Sequence, residues 1–320
     1  MKTLFAVLFA SFYGLVTRLM FGFFDGVMSI SFLGAVPLAI GFITVILIPR
    51  LNAVASFFIP WITSFVILLI TLALNIEGSI CWIMIYPLFA ILAGIGGLIA
   101  HGLKKQIASQ KERGGDKWGK PNTLNVSLLF FVPAFVGYLE GERTLVPQEY
   151  SVTKEVLIAA SPEEVWKQLT TINELSEEER PASFSSFIGF PRHVRTVADR
   201  FAVGGTRFAV YDKGLYFKET ISEYIPNRLM VLDVKTDPEN IPPTVMDEHI
   251  LIGGKHLDIL KDIYKLEPMP DGSSKLILTS HFFINTPFNW YSGLWANYLM
   301  SDILQGELDL VRQRSTAKKS

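Results

Sequence analysis

One acidic side chain stands out because it interrupts an apolar strand face. Glu219 alternates with Phe217 and Ile221, so in a strand these side chains point the same way. A carboxylate among apolar neighbours is costly unless it is paired or hydrogen-bonded. We therefore expect Glu219 either to orient a ligand or act as an acid in a cavity, or to form a structural ion pair with Arg207 or Arg195.

Four histidines in the second half of the chain are the other candidates for proton transfer or metal binding: His193, His249, His256 and His281. None of them shows a ligand spacing such as His-x-x-x-His, and a metal site needs three or four converging ligands. No metal site is therefore predicted. His281, on one strand face with Thr279 and Phe283, is the histidine expected to lie nearest a cavity and to be available as a general acid or base.

Nucleophilic and nucleotide chemistry have little support in this sequence. The one cysteine, Cys81, lies inside an apolar run, and neither a Gly-x-Ser-x-Gly elbow nor a phosphate-binding loop occurs. Neither half of the chain is basic enough to suggest nucleic-acid binding. We therefore assign no catalytic residue and predict no cofactor and no nucleic-acid partner.

The chain changes character near residue 140. Residues 1–140 contain 9 Lys and Arg and 5 Asp and Glu, whereas residues 141–320 contain 20 and 25. The first part carries apolar runs of bilayer length, about 22 residues each, which predicts membrane-spanning helices. The predicted transmembrane region, 1–140, comprises the runs 3–24, 27–48, 53–74 and 79–100, and a shorter run at 124–139.

Basic residues predict the orientation of these helices. Six Lys or Arg side chains lie in the segment 101–123, and loops of this kind are enriched on the cytoplasmic side. This predicts a multi-pass protein of the plasma membrane with its N-terminus inside. The shorter run contains Pro133 and either spans or lies at the interface. If it spans, as we expect, the following domain is extracytoplasmic; otherwise that domain is cytoplasmic.

The second half reads as one α+β domain over residues 150–315. A strand leads to Ser161, which caps a short helix, and about six strands follow between Val194 and Ile284, with short turns that predict an antiparallel order. A long helix with a broad apolar stripe opens after Thr286-Pro287. We predict a curved antiparallel sheet that wraps around this C-terminal helix, an α+β architecture.

Several segments of this half carry a family resemblance. VLIAASPEEVWKQLT, GFPRHVRTVADRFAVGGTRF, GLYFKETISEYIPNRLMVLDV and FFINTPFNWYSGLWANYLMSDILQGELDLVRQR, in this order, resemble bacterial membrane-anchored proteins of the START-like superfamily, also called SRPBCC. The superfamily includes polyketide cyclases and lipid-transfer domains, and the resemblance implies their shared helix-grip fold, in which the sheet wraps around the C-terminal helix. The resemblance implies a hydrophobic cavity between sheet and long helix for a lipid or other apolar molecule. It carries over no catalytic residue.

Three functions remain open on the sequence alone. The favoured one is a membrane-anchored, non-catalytic module that binds a lipid or other apolar small molecule next to the bilayer. The second is an acid–base enzyme of the cyclase or dehydratase type on a polyketide-like substrate, and the third is a regulatory interaction module whose cavity is filled by side chains. The residues expected to face the ligand are Arg207, Phe217, Glu219, Tyr264, His281, Trp290, Tyr291 and Trp295.

Overall fold

The computed structural model describes residues 1–24, 26–112, 123–170, 174–180, 183–236, 241, 246 and 249–317, with the side chains of 110–131 and 141–142 also outside the description. The chain divides into two compact units. The first comprises Met1–Glu77 and Trp82–Leu145, and the second comprises Gly78–Cys81 and Val146–Ser320. Each unit is described by itself below.

Five α-helices make up the first unit: α1 (Lys2–Gly22), α2 (Val36–Ile46, extended at its start by a π-helical turn, Ser31–Ala35), α3 (Ala53–Ala73), α4 (Ser79–Glu112) and α5 (Thr123–Glu140). Among the residues that the structure describes, three helical stretches are long and apolar enough to cross a membrane: Lys2–Gly22, Ala53–Ala73 and Ser79–Ser109. These correspond to three of the predicted spans.

The predicted run at 27–48 differs from the other three. Its helical part is Ser31–Ile46, which is shorter than the length of a full span. Residues 26–29 instead form a turn, in which the Ser29 hydroxyl accepts a hydrogen bond of 3.1 Å from the backbone N–H of Phe32. The run at 124–139 is helical, as α5. Whether either helix crosses a bilayer stays a prediction.

Arg18 places a charge within the first predicted span, and this charge is neutralised within the unit. The Arg18 Nε contacts the carboxylate of Glu77, and both side chains are largely buried. A buried charge is tolerated when it is paired with an opposite one. This pair therefore serves the packing of the helices.

Helices of the first unit approach each other closely at glycines. A Cβ on Gly41 of α2 would overlap the carbonyl oxygen of Ala93 in α4, and one on Gly97 would overlap that of Ser56 in α3. Ala90 and Ala93 have no exposed surface. Small residues at such contacts let helix backbones come together. Close packing of the helices thus accounts for the small residues Ala90, Ala93 and Gly97 of α4.

Replacing Gly41 with leucine tests this close contact. Because the neighbour is a backbone carbonyl that has no rotamer to adopt, we expect Gly41→Leu to destabilise the first unit by about 3 kcal/mol or more. Gly34→Leu is the matched control, since a Cβ there meets no atom within 4 Å. The measurement is unfolding by SDS of the full-length protein in mild detergent. Equal unfolding of the two variants would contradict the close approach.

The second unit is a seven-stranded sheet with three α-helices. Its strands are β1 (Pro147–Ile158), β2 (His193–Ala198), β3 (Thr206–Tyr211), β4 (Tyr216–Ile225), β5 (Leu229–Thr236), β6 (Leu257–Pro268) and β7 (Ser274–Asn285). They are ordered β1-β7-β6-β5-β4-β3-β2, and every pairing is antiparallel. The helices are α6 (Pro162–Thr170), α7 (Phe184–Ile188) and α8 (Asn289–Thr316).

Turns and bulges give the sheet its order and curvature. A turn at Pro226-Asn227 joins β4 to β5, with Asn227 at a φ of 61° and a hydrogen bond of 3.0 Å from the Arg228 N–H to the Ile225 carbonyl oxygen. Register shifts occur between Ile221 and Glu223 and between Ile259 and Lys261. Bulges of this kind bend a strand and increase its twist, which curves the sheet toward the long helix.

Helix α8 packs on β1 and β7 and closes the concave side of the sheet. Its buried side chains join strand residues and α6 in one core, which includes Trp166, Ile221, Leu232, Phe282, Leu304, Leu308 and Val311. The Ser161 hydroxyl accepts a bond of 3.4 Å from the Glu164 N–H at the start of α6, as the sequence predicts. The antiparallel sheet and long C-terminal helix confirm the predicted helix-grip architecture.

Candidate functional site: a polar cluster between the sheet and helix α8

Ionisable and hydroxyl side chains gather between the concave face of the sheet and α8. We call them the polar cluster: His193, Arg207, Tyr211, Glu219, Asp262, Tyr264, Ser280 and Glu307. The strand register places them together. Arg207 and Glu219 are direct partners across β3 and β4, and Asp262 and Ser280 are direct partners across β6 and β7. Glu307 reaches them from α8. The cluster is therefore assembled by long-range pairing.

The centre of the cluster is an ion pair on neighbouring strands. Arg207 Nε lies 3.2 Å from Glu219 Oε2, and these side chains are only 3% and 5% exposed. The Arg207 guanidinium also lies over the ring of Tyr264, 5.6 Å from its centroid, where the ring face attracts a cation. Leu215, Phe217 and Ile221 are buried on the same strand face as Glu219. The inward position of Glu219 and its pairing with Arg207 agree with the sequence.

A second pair lies beside the first. His193 Nδ1 is 2.8 Å from Glu307 Oε1, and His193 Nε2 is 2.8 Å from the hydroxyl of Thr196. The imidazole also stacks on Tyr211, with ring centroids 5.1 Å apart. These three contacts hold His193 in one orientation, with one ring nitrogen directed at the Glu307 carboxylate.

Several buried polar atoms of the cluster lack a hydrogen bond to the described part of the chain. They are Nδ1 of His193, Nε and Nη1 of Arg207, Oε2 of Glu219, Oδ1 of Asp262 and Oγ of Ser280. The Arg207 and Glu219 atoms are close enough for Coulomb attraction but do not have hydrogen-bond geometry. Leaving such groups unsatisfied costs about 1–3 kcal/mol each. Both donors and acceptors are thus available to a molecule that enters the cluster.

Burial shifts the proton affinities of the carboxylates. It raises the pKa of Glu219 to about 7, against the opposing effect of the Arg207 charge, and it raises the pKa of Asp262 to about 6, against the effect of Ser280 and Arg207. At Glu307 burial acts in the same direction, but the neighbouring His193 and Arg207 outweigh it and lower the pKa. Burial also raises the pKa of Tyr264 and Tyr211. Burial thus favours the protonated forms of Glu219 and Asp262.

The cavity at the cluster is small. Its volume is about 40 Å³, which accommodates roughly three water molecules. Half of its wall is apolar and includes Phe217, Leu278, Met300 and Leu304. Ligand pockets usually measure about 300 Å³ or more. The cavity expected for a whole lipid is therefore not open in this conformation, in which side chains of α8 fill the space.

A cleft at the surface adjoins this cavity. It has a volume of about 70 Å³ and lies between α7, the start of β2 and α8. The cleft and the cavity share four lining residues, His193, Tyr211, Ile303 and Glu307. The pair formed by His193 and Glu307 thus stands between the surface and the interior of the cluster.

The residues expected to face a ligand divide into two groups. Arg207, Phe217, Glu219 and Tyr264 all line the cavity. Four others do not line it: His281, Trp290, Tyr291 and Trp295. A role in ligand binding stays a prediction for all of them.

The structure places His281 on the other face of β7 from the cavity. In β7 the side chains of Leu276, Leu278, Ser280 and Phe282 are buried, whereas His281 alternates with them and is partly exposed. Both faces of this strand carry apolar residues, so the alternation alone does not reveal which face is covered. Trp290 also lies away from the cavity and is 65% exposed on α8.

Five cluster residues were not among the expected ligand contacts: His193, Tyr211, Asp262, Ser280 and Glu307. A signal was present for two of them. Asp262 is two residues before the buried Tyr264 in β6, which puts both on one face, and Glu307 is three residues after the buried Leu304 in α8. His193 carries no such local signal. Within the described residues no group of three or more His, Cys, Asp or Glu side chains has the arrangement of a metal site.

Comparisons with known proteins add a general likeness of shape. No family model and no curated protein matches this chain. Among solved structures, norcoclaurine synthase from Thalictrum flavum is 11% identical with a TM-score of 0.36, covering 54% of this chain and 97% of its own. The Zhui aromatase/cyclase from Streptomyces sp. R1128 is 12% identical with a TM-score of 0.33, covering 52% of this chain and 94% of its own. A protein from Nitrosospira multiformis is 14% identical with a TM-score of 0.33, covering 53% of this chain and 98% of its own. Values this low assign neither an activity nor a ligand to this chain.

Proposed function

We propose that this chain is a membrane-anchored binding protein whose helix-grip domain holds a small amphipathic molecule, a lipid or another largely apolar compound. The polar end of the ligand would carry a hydrogen-bond donor such as an amine or a hydroxyl. The observation that carries the proposal is the unsatisfied polar cluster, which offers Glu219 Oε2 and Asp262 Oδ1 as acceptors at an interior cavity.

The charges of the cluster support a donor as the bound group. Three carboxylates, those of Glu219, Asp262 and Glu307, face one permanent cation, Arg207, and the imidazole of His193. Near neutral pH a proton on Glu219 relieves this excess of negative charge. A ligand ammonium or hydroxyl placed there would do the same, because it would replace that proton as the donor between the acceptors.

The volume of the cavity determines how the ligand enters. A space of about 40 Å³ admits only a small polar group, so the apolar remainder needs room that Met300, Ile303 and Leu304 of α8 now occupy. Methionine changes rotamer at little cost and fills irregular gaps. We infer that α8 moves outward on binding and that the ligand enters through the cleft at His193 and Glu307.

Membrane anchoring supports a ligand that partitions into lipid. The first unit has three helices long and apolar enough to span, and a tethered domain stays near molecules dissolved in the bilayer. We propose a plasma-membrane location with the N-terminus inside, from the distribution of Lys and Arg. The helix-grip domain is then extracytoplasmic if α5 spans.

One observation favours acid–base catalysis as a second candidate. Burial raises the pKa of Glu219 to about 7, the range that suits a general acid or base at neutral pH. His193, Tyr211 and Tyr264 line the same cavity. An enzyme of this kind would release an altered molecule, whereas the proposed binding protein returns its ligand unchanged.

The proposal is tested by native mass spectrometry of the full-length protein, purified in detergent and exposed to a membrane lipid extract. We expect one class of amphipathic molecule on the wild type and about tenfold lower occupancy of Glu219→Gln, because a hydrogen bond to a charged group is lost. Glu223→Gln is the matched control, since it makes the same change at an exposed position of β4. An empty wild type would favour the regulatory module with a filled cavity, and a chemically altered ligand would favour the enzyme.

A further inference from the structure

A second pocket lies in the helical unit, away from the polar cluster. It has a volume of about 440 Å³ and is lined by Val45, Pro49, Arg50, Leu51, Asn52, His101, Lys104 and Lys105. Three lining residues are lysine or arginine and a fourth is histidine, while none is acidic. The volume falls within the usual range of ligand sites, about 300–1,000 Å³. The pocket is thus large enough for a molecule and positively charged.

The end of α2, the start of α3 and one face of α4 build this pocket. The Lys104 Nζ donates to the carbonyl oxygens of Val45, at 2.7 Å, and of Ile48, just after the end of α2. Asn52 caps the start of α3, where its Oδ1 accepts a bond of 2.7 Å from the Ala55 N–H. On α4 the side chains of His101, Lys104 and Lys105 lie three and four positions apart, which puts them on one face.

Among the described residues, only one of the basic side chains forms hydrogen bonds within the protein. Lys104 closes the end of α2, whereas Arg50, His101 and Lys105 make no ion pair or hydrogen bond within the described part of the chain. Arg50 and Lys105 are exposed. The first N–H groups of α3 add partial positive charge at the same place. The pocket therefore presents several cations without a counter-ion from the described residues.

The position of the basic residues along α4 indicates which kind of anion would reach the pocket. The apolar run of this helix ends at Ala100, and the basic side chains begin at the next residue, His101. In a spanning helix this change marks the level of the lipid headgroups. Apolar lining from Val45, Pro49 and Leu51 borders the cations, so the pocket offers contacts to both parts of an amphipathic molecule.

We propose that this pocket binds the phosphate group of an anionic phospholipid, with Arg50, His101 and Lys105 as its contacts. Basic pockets between transmembrane helices on the cytoplasmic side bind such headgroups, and our proposed orientation places this pocket on that side. The proposal rests on the membrane insertion proposed above. It is independent of the ligand of the helix-grip domain.

The test compares lipids on the full-length protein in nanodiscs. Binding of phosphatidylglycerol and of phosphatidylcholine is measured by native mass spectrometry for the wild type, for Arg50→Gln/Lys105→Gln, and for Lys2→Gln/Arg143→Gln. The last variant is the matched control, because it removes the same charge at exposed residues outside the pocket. We expect the wild type to bind phosphatidylglycerol in preference to phosphatidylcholine. The pocket variant should bind phosphatidylglycerol about 25-fold more weakly, because each lost charge weakens binding about fivefold. The control variant should bind it as tightly as the wild type.

The remaining outcomes separate the alternatives. Equal binding of the two lipids, or equal losses in both variants, would overturn the proposal. Displacement of phosphatidylglycerol by millimolar inorganic phosphate would assign the pocket to a soluble phosphate and would overturn its assignment to a lipid. Extraction of cell membranes with alkaline carbonate reports insertion separately. Release of the protein there would refute the membrane anchor, whereas retention without lipid preference refutes only this site.

Discussion

Arg207→Met lowers the free energy of unfolding of the helix-grip domain by about 3–5 kcal/mol at pH 8, because it leaves a buried carboxylate without its cation. Arg207 and Glu219 are almost fully buried, with their Nε and Oε2 atoms 3.2 Å apart. Arg207 also lies close enough to lower the pKa of Asp262 and Glu307. Removing this single guanidinium therefore affects three acidic groups.

The measurement is amide hydrogen exchange of β3 and β4 in the full-length protein, which reports the free energy of opening of these strands. A matched ion pair on the same sheet serves as the control. Lys261 and Asp233 are direct partners across β5 and β6, with Nζ and Oδ1 3.4 Å apart, but they are 44% and 53% exposed. We expect Lys261→Met to cost at most about 1 kcal/mol.

The double variant Arg207→Met/Glu219→Leu distinguishes the pair from simple loss of packing. When both charges leave together, the uncompensated carboxylate is gone, and buried pairs replaced by apolar residues are often close to neutral in stability. We expect the double variant to recover more than half of the loss caused by Arg207→Met. A double variant as unstable as the single one would mean that Arg207 stabilises the domain through Asp262, Glu307 and packing, independently of Glu219.

Sequence patterns predict this architecture well wherever it depends on local periodicity. The strands, their turns and the long helix follow from alternation and from turn residues, and the inward position of Glu219 follows from its apolar neighbours. The same logic identifies Arg207 as a partner, because a lone inward carboxylate requires a cation. Local secondary structure and single buried charges can therefore be predicted without a structure.

The remaining cluster depends on register and on which face of an element is covered. Asp262 and Ser280 are neighbours only because β6 and β7 pair in one particular register. A bulge in β6 between Ile259 and Lys261 shifts that register just before Asp262. Glu307 joins them because α8 turns one of its two apolar faces to the sheet. The other face of that helix exposes Trp290, Leu294 and Tyr298. A broad apolar stripe cannot reveal which part is buried, which is why the aromatic residues were assigned to the cavity.

The stability of the helix-grip domain falls as the pH rises from 5 to 8. Burial raises the pKa of the Glu219 carboxyl from 4.5 to about 7, so the folded domain retains a proton that the unfolded chain releases above pH 4.5. The contribution of Glu219 to the free energy of unfolding is therefore fully present below pH 4.5, and it is lost as the pH rises through 7. At about 1.4 kcal/mol per pH unit, the loss from Glu219 between pH 5 and pH 8 is about 2–3 kcal/mol.

The other carboxylates of the cluster influence the pH range over which stability falls. Asp262, whose pKa burial raises to about 6, contributes in the same direction but chiefly at the lower end of the range. Glu307 has a lowered pKa, so its stabilisation is present at neutral pH and is lost only on acidification below its ordinary value. Between pH 5 and pH 8, therefore, Glu219 and Asp262 dominate and the slope is negative.

Glu219→Gln isolates the larger contribution, because the amide keeps the shape of the side chain and does not titrate. Hydrogen exchange of β4 at pH 5, 6, 7 and 8, corrected for the intrinsic exchange rate, should show a slope reduced by more than half relative to wild type. Glu223→Gln, at an exposed position of the same strand, should leave the slope unchanged. A wild-type stability that rises with pH would mean that Glu219 is ionised throughout and that Arg207 outweighs burial. The Arg207→Met variant would then be as unstable at pH 5 as at pH 8, whereas a protonated Glu219 makes the loss smaller in acid.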